Sequence, residues 1–121
     1  MDANSGWSLP EALQELPCEV AATLVGHLIK PFQTDVAVRL QRTRKAIAEA
    51  DPAALRAEVH SLKGSASQVG ADVMASICAE MESSIGQVPV AQLLESVGRL
   101  EVHCTAAVRA MSTYSAAGEN L

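Results

Sequence analysis

The sequence predicts an all-α fold: an up-and-down antiparallel four-helix bundle with a short extra helix at its N-terminus. Three observations carry that expectation. Hydrophobic residues make up 49% of the 121 residues, yet the aromatics are only Trp7, Phe32 and Tyr114. Alanine-rich, aromatic-poor chains suit closely packed helices, because alanine has the best helix propensity and strands favour β-branched and aromatic residues. Apolar residues recur at three- and four-residue intervals, and no Val/Ile/Thr alternation is long enough for a strand. The connections are short, so successive helices should pack antiparallel. A chain of this length is one domain that buries a single core without staples.

Residues 1–7 read as a flexible lead, 8–115 as the bundle and 116–121 as a flexible tail. Ser8 to Leu16 can form the short first helix, with Ser8 as cap and Pro10 in the first turn. From Cys18 to Glu49 the pattern is helical, with Val20, Leu24, Leu28, Phe32, Val36, Leu40 and Ile47 as its apolar set. Pro31 falls inside that stretch, where its ring removes a hydrogen bond, so either one bent helix or two helices are expected. Asp51-Pro52 is a strong helix start, an acceptor at the cap followed by proline at the first helical position. The helix it opens runs to Val69, and Gly70 suits a left-handed stop. A fourth helix fits Ala71 to Ile85. Pro89 opens a fifth, lined by Val90, Leu93, Leu94, Val97, Leu100, Cys104, Val108 and Met111, with Ser112 onward expected to fray.

Composition narrows the function classes. A formal charge of −5 and few aromatics argue against a nucleic-acid partner. No apolar run approaches the roughly 20 residues of a membrane span, and the first residues lack the pattern of a signal peptide. Cys18, Cys78 and Cys104 lie in apolar helical patterns without a CxxC spacing, which suggests reduced core cysteines in a cytoplasmic domain. His27 and His103 have no cysteine or carboxylate at ligand spacing, so no metal site is expected.

The stretch from His60 to Ala71 is where chemistry concentrates. At about 100° per residue, Leu55, Val59, Leu62, Ala66 and Val69 cluster roughly 140° away from His60, which shares its face with Arg56, Lys63, Gly64 and Ser67. A core histidine would lie within the apolar stripe; this one lies nearly opposite it. An exposed neutral imidazole is a competent nucleophile near pH 7. Lys63 is a mobile charge within its reach. Gly64 costs about 0.8–1 kcal/mol relative to alanine in a helix interior, and its bare backbone admits a close approach by a partner. On the fourth helix Glu82 lies about 85° from the mean direction of Met74, Ile77, Cys78, Met81 and Ile85, bordering the core and within reach of the preceding antiparallel helix.

His60-Ser-Leu-Lys-Gly-Ser-Ala-Ser-Gln-Val-Gly-Ala71 closely resembles the His-x-Leu-Lys-Gly-Ser-x-x-x-x-Gly-Ala signature of histidine-containing phosphotransfer (HPt) domains. Phe32, Leu40, Asp51 and Leu55 upstream, and Cys78, Met81 and Glu82 downstream, fall at the family's spacings. The likeness covers roughly residues 20 to 85, and the fifth helix matches only by pattern. Val59 stands where alanine usually precedes the histidine, and Met81 replaces the common leucine.

The resemblance implies a helical bundle that carries a phosphorylatable histidine in mid-helix, with no kinase activity of its own. Such domains accept a phosphoryl group from the aspartate of a response-regulator receiver domain and pass it to another receiver. On that basis His60 is expected to be the phosphorylated residue, through Nε2, with Nδ1 carrying the proton. Lys63 is expected to neutralise the phosphoryl charge, and Glu82 to accept from Nδ1 and orient the ring. Gly64, Arg56 and Ser67 would meet the partner. Transfer in the family requires Mg²⁺, which the receiver binds, so this chain is expected to hold no cofactor. The expected partners are receivers, whether the chain is a separate protein or part of a hybrid sensor kinase, and a monomer is expected. The alternative is a docking module that regulates a receiver or an enzyme without carrying phosphate.

Overall fold

The computed structural model describes residues 5–119. Five helices follow in order: α1 (Glu11–Gln14), α2 (Cys18–Ala48), α3 (Pro52–Val69), α4 (Asp72–Ser84) and α5 (Val90–Glu119). Helices α2 to α5 form the bundle, in which α2 packs on α3 and α5, α3 packs on α4, and the α4–α5 seam is the thinnest. The links between helices show the antiparallel arrangement. Asp35 and Arg39 of α2 meet Ser65 and Glu58 of α3, while Arg44 of α2 pairs with Glu101 of α5. The all-α bundle expected from the periodicity is therefore the fold.

Helix α3, which carries His60, is bounded as its sequence dictates. The Asp51 side chain accepts from Ala54 N at 3.1 Å, Pro52 occupies the first turn, and Gly70 takes the left-handed conformation at φ 87°. Adding a side chain at Gly70 would also drive it into the Ser8 carbonyl. The buried residues of α3 are Leu55, Val59, Leu62, Ala66 and Val69, the five placed on one face by rotation.

Pro31 neither ends nor divides α2, which runs unbroken for 31 residues. Pro31 lies on the exposed side of the helix together with His27, away from the core packing. The first turns of α2, however, are rotated from the expected register. Val20 and Leu24 are exposed, and Ala21, Ala22 and Val25 are buried in their place. The cause is the end of α5. Gly118 lies against Ala22, and a Cβ at Gly26 would come within 2.6 Å of Ser115 Oγ, so small residues bring the two helices close. The same seam corrects the expectation of a fraying tail: α5 continues through Ser112 to Glu119, with Ser115 and Gly118 buried. Of the predicted tail, residues 120–121 lie outside the described residues. At the other end of α5, Val90 and Leu94 are exposed and the core face begins at Leu93.

The N-terminal segment also departs from expectation. Residues 1–4 lie outside the described residues, but Ser5 and Trp7 are buried. Trp7 bridges to Ala71, donates its indole N–H to Val69 O at 2.8 Å and packs on the Tyr114 ring. Ser8 does not cap α1. Its N–H donates to Gly70 O, which keeps the chain extended, and its hydroxyl donates to Asp72 Oδ2 at 2.6 Å. Helix α1 consequently starts only after Pro10. A segment expected to be a loose lead is instead a strap across the α3–α4 corner. Among the cysteines, Cys78 is buried and Cys104 half-buried, but Cys18 is exposed at the start of α2 rather than in the core.

Candidate functional site

His60 sits midway along α3 with its side chain 69% exposed, on the face turned away from the core. At Gly64, one turn later, a Cβ would meet nothing within 4 Å beyond the adjoining residues and backbone of its own helix. Arg56 and Ser67 are exposed on the same side of the helix, and Lys63 is half-buried at its edge toward α4. The ridge around the histidine is thus open, and at Gly64 it is bare to the backbone.

Glu82 projects from α4 toward this ridge. Its Oε1 lies 3.5 Å from His60 Nδ1 and 3.0 Å from Lys63 Nζ, so the structure brings together the three residues singled out in the sequence. The Glu82 side chain is 23% exposed, and Oε1 itself is sealed from solvent. The short contact from Lys63 is the main influence that holds the Glu82 carboxyl below its ordinary range. Burial works in the opposite direction, and His60 adds to the lowering. Glu82 is therefore a carboxylate at neutral pH, able to accept from a ring nitrogen. His60 Nε2 has no protein partner among the described residues.

The pairing of Lys63 with Glu82 is the feature that sequence reasoning missed. The expected role for Lys63 leaves its ammonium free, yet here it is engaged. Rotation angles place both residues toward one seam but give no distance across it. Beneath the pair, burial pushes the Cys78 thiol up to about 12, with the Glu82 charge acting in the same sense and Lys63 against it. Cys78 is a fully buried thiol packed in the core and held in its protonated form.

On the opposite flank of α3, a second polar group joins α3 to α2. Ser65 Oγ donates to Asp35 Oδ2 at 2.7 Å, and Asp35 also accepts from Arg39 Nε at 3.0 Å. Arg39 extends to Glu58 at 3.4 Å. These contacts join α3 to α2 on the flank away from Glu82. Leu28, Pro31, Phe32, Asp35, Ser65 and Gln68 border a shallow groove beside this flank. Among the described residues, no group of three or more His, Cys, Asp or Glu side chains is placed to hold a metal ion, and no helix is long and apolar enough to cross a membrane.

Comparison with curated proteins and with solved structures yields no match. A family model described as the Hpt domain matches residues 27–113, a span that takes in His60, Lys63, Glu82 and most of α5. The chain belongs to the Hpt domain family, whose members serve histidine phosphotransfer in phosphorelays.

Proposed function

We propose that this chain is a phosphoryl carrier, which accepts a phosphoryl group on His60 from a receiver-domain aspartate and relays it to another receiver. The observation that carries this reading is the orientation of one ring. His60 is exposed in mid-helix, turns Nδ1 toward the Glu82 carboxylate, and leaves Nε2 without a protein partner among the described residues.

Phosphoryl transfer passes through a loose transition state, so positioning and charge stabilisation do most of the catalytic work. With its proton on Nδ1, the ring offers the Nε2 lone pair to phosphorus. The P–O bond to the receiver's aspartate breaks, and its electron pair leaves with the carboxylate. The Glu82 carboxylate behind Nδ1 favours the tautomer that keeps the proton there, and Lys63 supplies positive charge from the side. Gly64 lets the receiver's backbone approach, and Arg56 and Ser67 flank the contact. Exposed apolar residues of α2 extend the docking surface, whose complexes should be transient. The divalent cation that the transfer needs would, in this reading, be held by the receiver's acidic pocket and would supply charge neutralisation for the phosphoryl group there. Transfer requires no nucleotide bound by this chain, which acts as an intermediate rather than a kinase, in the cytoplasm and as a monomer.

The test is transfer of radiolabel from a panel of phosphorylated receivers to wild type and to His60→Gln. Wild type should take up label from its cognate receiver and surrender it to a second. The variant should remain folded and take up none. Label retained by the variant would overturn the assignment of His60 as the carrier, and regulation of a receiver that persists unchanged in His60→Ala would favour docking alone.

A further inference from the structure

The Glu82 carboxylate meets two donors with a single atom. Oε1 lies 3.0 Å from Lys63 Nζ and 3.5 Å from His60 Nδ1, and neither approach has the alignment of a full hydrogen bond. The lysine contact is the shorter. The imidazole stands off beyond the usual N–H···O distance. In the unphosphorylated protein the ammonium therefore has the better claim on this oxygen, although Lys63 and His60 both need a role once phosphate arrives.

Resting on the carrier reading above, we propose that Glu82 Oε1 is an exchange point. Lys63 holds it at rest; when His60 is phosphorylated the ammonium moves to the phosphoryl oxygens and His60 Nδ1–H closes onto Oε1. The balance of charge and protons favours both halves of the exchange. Nε2 gives its lone pair to phosphorus, and no proton leaves Nδ1. The ring then bears a formal positive charge, which strengthens Nδ1–H as a donor to a carboxylate. At the other nitrogen, three phosphoryl oxygens share two negative charges and offer the ammonium several charged acceptors, where at rest it meets one carboxylate oxygen.

The geometry allows the movement. Lys63 follows His60 by three residues, so the two side chains are neighbours on one helix surface. Neither is locked by packing, with side chains 36% and 69% exposed. Glu82 is the fixed member, its Oε1 sealed in the α3–α4 seam. One carboxylate thereby neutralises the lysine in the empty carrier and steadies the imidazolium in the loaded one. Lys63 is in this sense a state-dependent partner of Glu82 rather than a permanent one.

The test uses the full chain and phosphoramidate, a small-molecule phosphoryl donor that needs no receiver. At pH 8 the Glu82 side-chain carbonyl ¹³C shift and the His60 Nδ1–H shift are recorded by NMR in wild type, Lys63→Met and Glu82→Gln, before and after phosphorylation. Lys63→Met should displace the Glu82 signal in the resting protein and leave it unmoved in the phosphorylated one. The Nδ1–H signal should move downfield on phosphorylation, and less so in Glu82→Gln, which keeps the shape and removes the charge. Equal displacement of Glu82 by Lys63→Met in both states would overturn the exchange while leaving the carrier reading intact. Absence of phosphate on His60 would overturn both.

Discussion

Trp7 and Val69 are joined by a hydrogen bond of 2.8 Å between the indole N–H and the last carbonyl of α3. This contact spans 62 positions in the chain and pins the N-terminal strap to the helix that carries His60. Trp7 is 5% exposed and also packs on the Tyr114 ring of α5. One side chain thus ties three elements together at the end of the bundle remote from the α2–α3 turn.

Removing that side chain should cost much of the stability. Trp7→Ala should lose about 3–5 kcal/mol, as expected for truncation of a buried large aromatic. Urea unfolding followed by circular dichroism measures it. A loss below about 0.5 kcal/mol, the range of surface substitutions, would show that the strap is dispensable.

Gly64→Ala should separate stability from function. The added Cβ meets nothing within 4 Å outside the adjoining part of its own helix, so the helix should gain about 0.8–1 kcal/mol from the better propensity of alanine. A larger residue at the same place, Gly64→Gln, should leave the fold intact and slow transfer from a phosphorylated receiver, because its side chain stands where the partner must approach. Urea midpoints and transfer rates measured on both variants check this. Undiminished transfer in Gly64→Gln would remove the docking role assigned to the glycine.

Glu82 predicts an acid sensitivity of defined sign. Its folded value is lowered from the ordinary 4.5, chiefly through Lys63. A carboxyl bound more tightly as the anion in the folded state contributes stability that is fully present above the ordinary value and is lost as pH falls through the lowered one. Wild type should therefore lose stability more steeply below pH 4.5 than Glu82→Gln does. Thermal midpoints recorded from pH 6 downward test the difference; parallel curves would mean that the ion pair does not couple to folding.

Gly118→Val tests the α2–α5 seam. A side chain at this position runs into the Ala22 methyl group, so the helices must part. Overpacking of this kind costs about 1–3 kcal/mol. Truncation of the chain after Met111 should also destabilise, whereas a fraying tail would be removed without effect. Chemical denaturation of the two proteins beside wild type gives the answer.

Much of the site was legible in the sequence because it is local. Asp51, Pro52 and Gly70 fix the limits of α3, and the 3.6-residue period turns Leu62 inward and His60 outward whatever lies around them. Glu82 was legible for the same reason, since a residue at the edge of an apolar stripe must face a seam. The register of Val20 and Leu24 was not, because hydrophobicity ranks them above Ala21 and Ala22, yet a close helix crossing selects the smaller pair.

By itself, then, the sequence determined the helices, the face that His60 occupies and the family signature around it. Those properties depend on residues within a few turns of one another. Only the tertiary structure decided that Lys63 and Glu82 share a contact, that Trp7 straps the α3–α4 corner, and that α5 runs on to pack against the start of α2. Each of these joins segments distant along the chain, and periodicity gives a direction around a helix axis without the distance across to its neighbour.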